Sequence, residues 1–239
     1  ATAQANLKNL QDSYDALEAN SSKALAENSK QNRELLAQLD EKQADLAAEQ
    51  NRLEKMQRDL TERSRRVEEL ESMIAAKDAK MRALKDAISK ALVDFEGNGL
   101  TVEQRDGKVY VSLENKLLFE SGSWNVGAKG RQAVNQLGSV LAQNPEIAVL
   151  IEGHTDDVPY GGNGPLKDNW DLCTKRATAI SMILRQNAQI DPKNLTAAGR
   201  GEFAPVATNS TAEGKAKNRR IEVILTPKLD EVTKLLNDI

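Results

Sequence analysis

From Leu39 onward one position in seven is apolar: Leu39, Leu46, Leu53, Leu60, Val67, Ile74, Met81 and Ile88. A seven-residue repeat sustained over this length predicts a helix whose apolar seam packs against partner helices. The companion position three residues further on is weaker, reading Lys42, Glu49, Met56, Arg63, Leu70, Lys77, Leu84 and Ala91. The seam is therefore expected to be dry only towards its C-terminal end. Upstream, Leu7, Leu10, Tyr14 and Leu17 keep a different frame, and the change between Leu35 and Leu39 reads as a stutter. Residues 1–95 contain neither Pro nor Gly and are rich in Ala, Leu, Glu, Lys, Gln and Arg, a helix-forming composition. A straight helix of about 90 residues would reach about 135 Å. Covering its apolar stripe requires other helices, and self-association is the simplest way to supply them.

The pattern changes at Glu96-Gly97-Asn98-Gly99, where the helix is expected to stop, giving a stalk over 1–95 and a second domain over 96–239. Leu100–Gln104 and Val109–Leu113 alternate on either side of Asp106-Gly107, which predicts a hairpin. A short apolar run at Leu117-Leu118-Phe119 is followed by helical spacing over Gly127–Gln143. Ile147–Glu152 reads as a buried strand, residues from Asn169 to Gln189 as a helix closed by Asp191-Pro192, and Leu195–Ala198 and Arg220–Thr226 as strands. Leu229, Val232, Leu235 and Leu236 suit a last amphipathic helix over 228–239. The expected fold class is α+β: a long coiled-coil helix, then a small two-layer α/β domain with a mixed sheet and helices on one face.

Composition sharpens this division. Aromatic residues make up only 3% of the 239 residues and charged residues 29%, so part of the chain is expected to lie outside any globular core. A net charge of −3 speaks against nucleic acid as a partner. Cys173 and His154 are the chain's only Cys and His, which leaves no disulfide framework or multi-His metal site; no metal or cofactor is expected. No stretch approaches the roughly 18 apolar residues needed to span a bilayer.

Five segments, in order, carry a family resemblance. They are Leu117-Leu118-Phe119-Glu120-Ser121-Gly122-Ser123, Ile151-Glu152-Gly153-His154-Thr155-Asp156, Asn169-Trp170-Asp171-Leu172-Cys173-Thr174-Lys175-Arg176-Ala177, Ala198-Gly199-Arg200-Gly201-Glu202 with Pro205, and Asn218-Arg219-Arg220-Ile221-Glu222. Together they resemble OmpA-like peptidoglycan-binding domains; residues 1–95 lie outside the resemblance. The loop Asp157–Lys167, with Val158-Pro159, and Trp170 after it, is more similar to the flagellar-stator branch than to the porin branch.

The resemblance implies a binding module, not an enzyme, whose ligand is the diaminopimelate of the peptidoglycan stem peptide. That residue offers an ammonium beside a carboxylate. By resemblance, Asp156 takes the ammonium and Arg176 the carboxylate, for which a planar guanidinium fork is better suited than Lys. Asn169 and the backbone N–H of Leu172 are placed at a helix N-terminus that favours the carboxylate. Arg219 matches a further site residue, and Ser121, Gly122 and Ser123 would line the cleft. Arg219 and Arg220 alternate across a strand, so one is expected to face the site and the other Glu222 or solvent. An unliganded Asp156 could instead cap its loop, and Arg176 could be its structural ion-pair partner. His154 reads as a fold residue.

Enzymatic alternatives are weak. Cys173 with His154 as base would make a nucleophile pair, but Cys173 stands where the family pattern has Ser. Asp156 and Asp157 are adjacent on one loop and could not flank a glycosidic bond. The resemblance further implies the periplasmic side of a Gram-negative envelope, with a membrane attachment upstream of Ala1. A lipoprotein tether to the outer membrane is the first expectation; a single transmembrane helix, as in stator subunits, is the alternative.

Overall fold

The computed structural model describes residues 2–120, 122–161 and 166–228. The chain divides into two compact units, Ala1–Glu68 and Glu69–Ile239. Helix α1 runs from Thr2 to Ala91 without interruption, as a segment lacking Gly and Pro should. Within the first unit every described residue but the half-buried Arg66 is exposed. Leu39, Leu46, Leu53, Leu60 and Val67 each keep more than half their surface in solvent. Pairs such as Glu54–Arg58 at 3.3 Å and Glu62–Arg65 at 3.0 Å lace the helix surface. Exposed pairs of this kind contribute little, so they support the helix without covering its stripe. No described helix is long and apolar enough to cross a membrane.

The last turns of α1 have a different environment. Met81, Leu84 and Ile88 are buried, and they join Leu92 and Phe95 in the core of the second unit. The heptad row from Leu39 to Ile88 therefore does not serve one seam: Met81 and Ile88 pack into the globular core. The helix ends at Ala91, ahead of the expected stop, and a turn carries the chain to Gly99.

Five strands form one sheet in the order β1-β2-β5-β3-β4. Strands β1 (Leu100–Arg105) and β2 (Lys108–Glu114) make the expected hairpin, with Asp106 and Gly107 both at positive φ (51° and 67°), the backbone that a two-residue hairpin turn requires. Strand β5 (Arg220–Pro227) pairs antiparallel with β2 and with β3 (Ile147–His154), while β4 (Leu195–Gly201) lies parallel to β3. The sheet is thus mixed. Helices α2 (Asn115–Leu118), α3 (Ala128–Ala142), α4 (Asn169–Leu184) and α5 (Ala212–Asn218) complete the unit. Val109, Val111, Val149, Ile151, Val223 and Leu225 share one core with Val134, Leu137, Ile180 and Leu184. The alternate residues Tyr110, Ser112, Glu114, Glu152 and Glu222 lie on the sheet's polar side.

Several boundaries differ from expectation. Helix α4 ends at Leu184, short of Gln189, and a 3-10 turn at Pro192–Asn194 leads into β4. Strand β4 runs to Gly201 rather than Ala198. Helix α5 has no apolar periodicity in Ala212–Asn218 and was not expected; Thr211 caps it by accepting from the Gly214 N–H. The helix expected over 228–239 lies beyond Lys228, outside the described residues.

Candidate functional site

The site forms where β3 ends beside the start of α4. That approach is unusually close. A Cβ on Gly153 would sit 2.1 Å from the Cys173 carbonyl oxygen, and one on Gly199 would sit 2.1 Å from the Thr174 hydroxyl. Neither position admits a side chain, so α4 lies directly on the ends of β3 and β4. The Gly-His-Thr-Asp segment then delivers Asp156 to the mouth of a cleft of about 480 Å³, lined by Gly122, Thr155, Asp156, Tyr160, Asn169 and Arg219 among others.

Asp156 is 5% exposed. Its Oδ1 accepts the Val158 N–H at 3.3 Å, closing a small loop turn, and its Oδ2 accepts from Arg219 Nη1 at 2.5 Å. The structural ion-pair partner of Asp156 is therefore Arg219, not Arg176. Arg219 comes from the segment between α5 and β5, and its side chain is 43% exposed, so the charged head can swing. Arg220 points the opposite way and is buried, with Nε donating to Glu222 Oε1 at 2.8 Å and Nη2 to the Ala204 carbonyl at 3.2 Å.

Arg176 lies behind the cleft, 5% exposed. Its Nε donates to the Ser123 carbonyl at 2.8 Å, and its guanidinium stands 5.0 Å above the Phe119 ring. Burial lowers its pKa to about 10, with the charge of Arg219 acting in the same direction. It remains a cation at neutral pH, desolvated and held in place.

Asn169 and Leu172 are used differently from expectation. The Asn169 amide donates to the Val158 carbonyl at 3.0 Å and to Glu202 Oε2 at 2.8 Å, fastening the loop after β3 to the start of α4. Asp168 caps α4 by accepting the Asp171 N–H, and the Leu172 N–H already donates to the Asp168 carbonyl at 3.1 Å. The Leu172 N–H is thus spent in the helix's first hydrogen bond, because the helix begins three residues earlier. The Leu172 side chain does line the cleft, as does Gly122. Ser123 contributes its carbonyl to Arg176 and its hydroxyl to the Asn125 N–H. Ser121 lies outside the described residues. Glu202, Tyr160 and Phe119 carry contacts the sequence did not assign to them. Glu202 sits within the Gly-Arg-Gly-Glu segment, which was its one visible signal.

Cys173 is fully buried; its Sγ donates to the Trp170 carbonyl and accepts the Gly201 N–H, both at 3.2 Å. Burial raises its thiol pKa, the opposite of what a thiolate nucleophile needs. His154 is 3% exposed, and neither ring nitrogen has a hydrogen-bond partner among the described residues. Its pKa falls to about 4, first through burial and then through Arg220, against the pull of Glu222. Glu152, His154 and Glu222 converge closely enough to hold a cation. Arg220 already pairs with Glu222, however, and Arg200 stands 3.7 Å from Glu152, so the two carboxylates are neutralised without one.

A mixed sheet with α4 seated on glycines, and a buried Asp156 paired with Arg219 at the mouth of one cleft, define a small α/β domain built around a single polar site. The model of the OmpA family matches residues 118–219. YfiB of Escherichia coli is 31% identical over 116 residues, 48% of this chain and 69% of that protein. The chain belongs to the OmpA family. Motility protein B of Bacillus subtilis is 30% identical over 155 residues, 64% of this chain; the match spans 59% of that relative's own length. Among solved structures, the cell wall anchor of the T6SS from Pseudomonas aeruginosa superposes with a TM-score of 0.53 at 29% identity, covering 59% of this chain and 97% of that one.

Proposed function

We propose that the second unit binds peptidoglycan non-covalently through the diaminopimelate of its stem peptide, and that the stalk links this grip to a membrane of the cell envelope. The observation that carries the reading is the charge arrangement: buried Asp156, with Arg219 on its carboxylate and Arg176 fixed behind the cleft. A ligand ammonium would replace the Arg219 head on Asp156. The ligand carboxylate would meet the freed Arg219 and the terminal nitrogens of Arg176, whose Nε is engaged by Ser123. Asn169 and Glu202 hold the loop that aims Asp156. The cell wall anchor among the similar structures supports the same role.

The reading is non-enzymatic: Cys173 is sealed and its thiol pushed up, and the cleft carboxylate is already paired. The match to YfiB, a lipoprotein by name, supports a tether of lipoprotein type, which this reading places at the outer membrane. The match to Motility protein B supports a second reading, in which the same module anchors an inner-membrane stator-like complex to the wall. Membrane fractionation of the natural protein separates the two.

The binding reading is tested by sedimenting the full chain with insoluble sacculi. Diaminopimelate-type walls should retain it, and lysine-type walls, which lack the second carboxylate, should retain it much less. Asp156→Ala should cut retention by about 30-fold or more, since truncating one partner of a desolvated charge pair costs about 2–5 kcal/mol. Arg219→Ala should weaken it in the same direction. Equal retention of wild type and a folded Asp156→Ala variant would place the site elsewhere.

A further inference from the structure

A second depression, of about 310 Å³, adjoins the charged cleft and shares Pro159, Tyr160 and Asn169 with it. Its floor carries the rings of Trp170 and Phe203. Trp170 is 49% exposed and Phe203 72%, although the chain has only two Trp and three Phe. Their ring centroids lie 5.6 Å apart with planes tilted by 41°. The backbone builds this arrangement deliberately. Gly201 has φ of +56°, which turns the chain after β4, and a Cβ there would approach carbons of both rings at 3.4 Å. Trp170 stands in the first turn of α4, so both rings are fixed by elements that also fix the charged cleft.

Both rings keep much of their apolar surface in water, so the patch suits a ligand that covers it. At about 310 Å³ the depression has the size of a small-ligand site. Its lining also mixes aromatic faces with the Glu202 carboxylate, Lys167 and Asp168. That combination matches a pyranose ring, whose C–H face is apolar and whose edge carries hydroxyl and amide groups.

We infer that Trp170 and Phe203 form a sugar platform that holds an amino sugar of the glycan strand while Asp156 and the arginines hold the stem peptide. This rests on the peptidoglycan reading above. In the stem, diaminopimelate is the third residue from the sugar, and two to three extended residues span roughly 10 Å. One disaccharide-peptide can therefore occupy both adjoining depressions.

The test is calorimetry of the full chain with two soluble ligands: the diaminopimelate-containing stem peptide alone, and the same peptide carried on its disaccharide. Wild type should bind the disaccharide-peptide about tenfold more tightly than the free peptide. Trp170→Ala and Phe203→Ala should each erase most of that difference while leaving the free-peptide affinity within about twofold. Trp170→Tyr should restore it. Phe203 is exposed enough that its removal leaves the core intact, so the test survives if the Trp170 variant folds poorly. Equal affinity of wild type for the two ligands, or an undiminished sugar gain in both alanine variants, overturns the platform while leaving the peptide site standing. Absence of binding to either ligand overturns the peptidoglycan reading and the platform with it.

Discussion

Adjacent arginines at the start of β5 have opposite duties. Arg219, which closes α5 just ahead of the strand, is half-exposed on the cleft side, and Arg220, the first residue of the strand, is sealed against Glu222. His154 shows what burial beside such a cluster does to a titratable group. An ordinary His protonates near 6.5, whereas His154 resists until about 4. Between those values the unfolded chain binds a proton that the folded chain refuses. Stability therefore rises with pH across that window and is lost as pH falls from about 6.5 to about 4, by up to about 3 kcal/mol. Urea unfolding at pH 7 and at pH 4.5 should show this loss in wild type and a clearly shallower one in His154→Gln. Parallel pH profiles would mean that His154 takes up its proton as readily in the folded chain as in the unfolded one. The family motifs disclosed which residues gather at the site. The partner of Asp156 was not legible, because Arg219 lies 63 positions away and competes there with Arg176.

At the level of elements, local patterns were readable wherever one face of an element decides its fate. The Asp-Gly hairpin and the helical spacing of α3 appear where they were expected. Helix α5 was hidden, because it is held by its Thr211 cap and by the buried Asn218, whose side chain binds the backbone of Val206 and Ala207. The heptad row gave the right helix but could not disclose what covers it: a seven-residue repeat presents the same face to another helix or to a sheet. For the first unit, the exposed row from Leu39 to Val67 makes helix association the expected outcome. A peptide of residues 1–68 should be helical and sediment as a concentration-dependent oligomer. Replacing Leu53 and Leu60 with Lys should dissociate it, since charges cannot be buried unpaired in a seam. A helical monomer at high concentration would remove the self-association proposal.

For the whole molecule, the working boundary is set by burial rather than by the end of the helical composition. Met81, Leu84, Ile88, Leu92 and Phe95 are all 7% exposed or less. Deleting a single core side chain of this kind costs about 2–5 kcal/mol, against a total stability of about 5–15 kcal/mol for a domain. A fragment starting at Glu69 should melt cooperatively, and one starting at Glu96 should not; equal melting temperatures for the two would show that these five side chains are dispensable. The chain as a whole carries 33 basic and 36 acidic residues, so its long-range field is nearly balanced. Because Arg219 already sits on Asp156, the zwitterion of the proposed reading would enter by exchange, trading one ion pair for others without changing the net charge of the site. Dissolved salt screens the outgoing pair as well as the incoming ones. An anchor that works by such exchange would hold in dilute and briny surroundings alike, where one built on simple charge attraction would not.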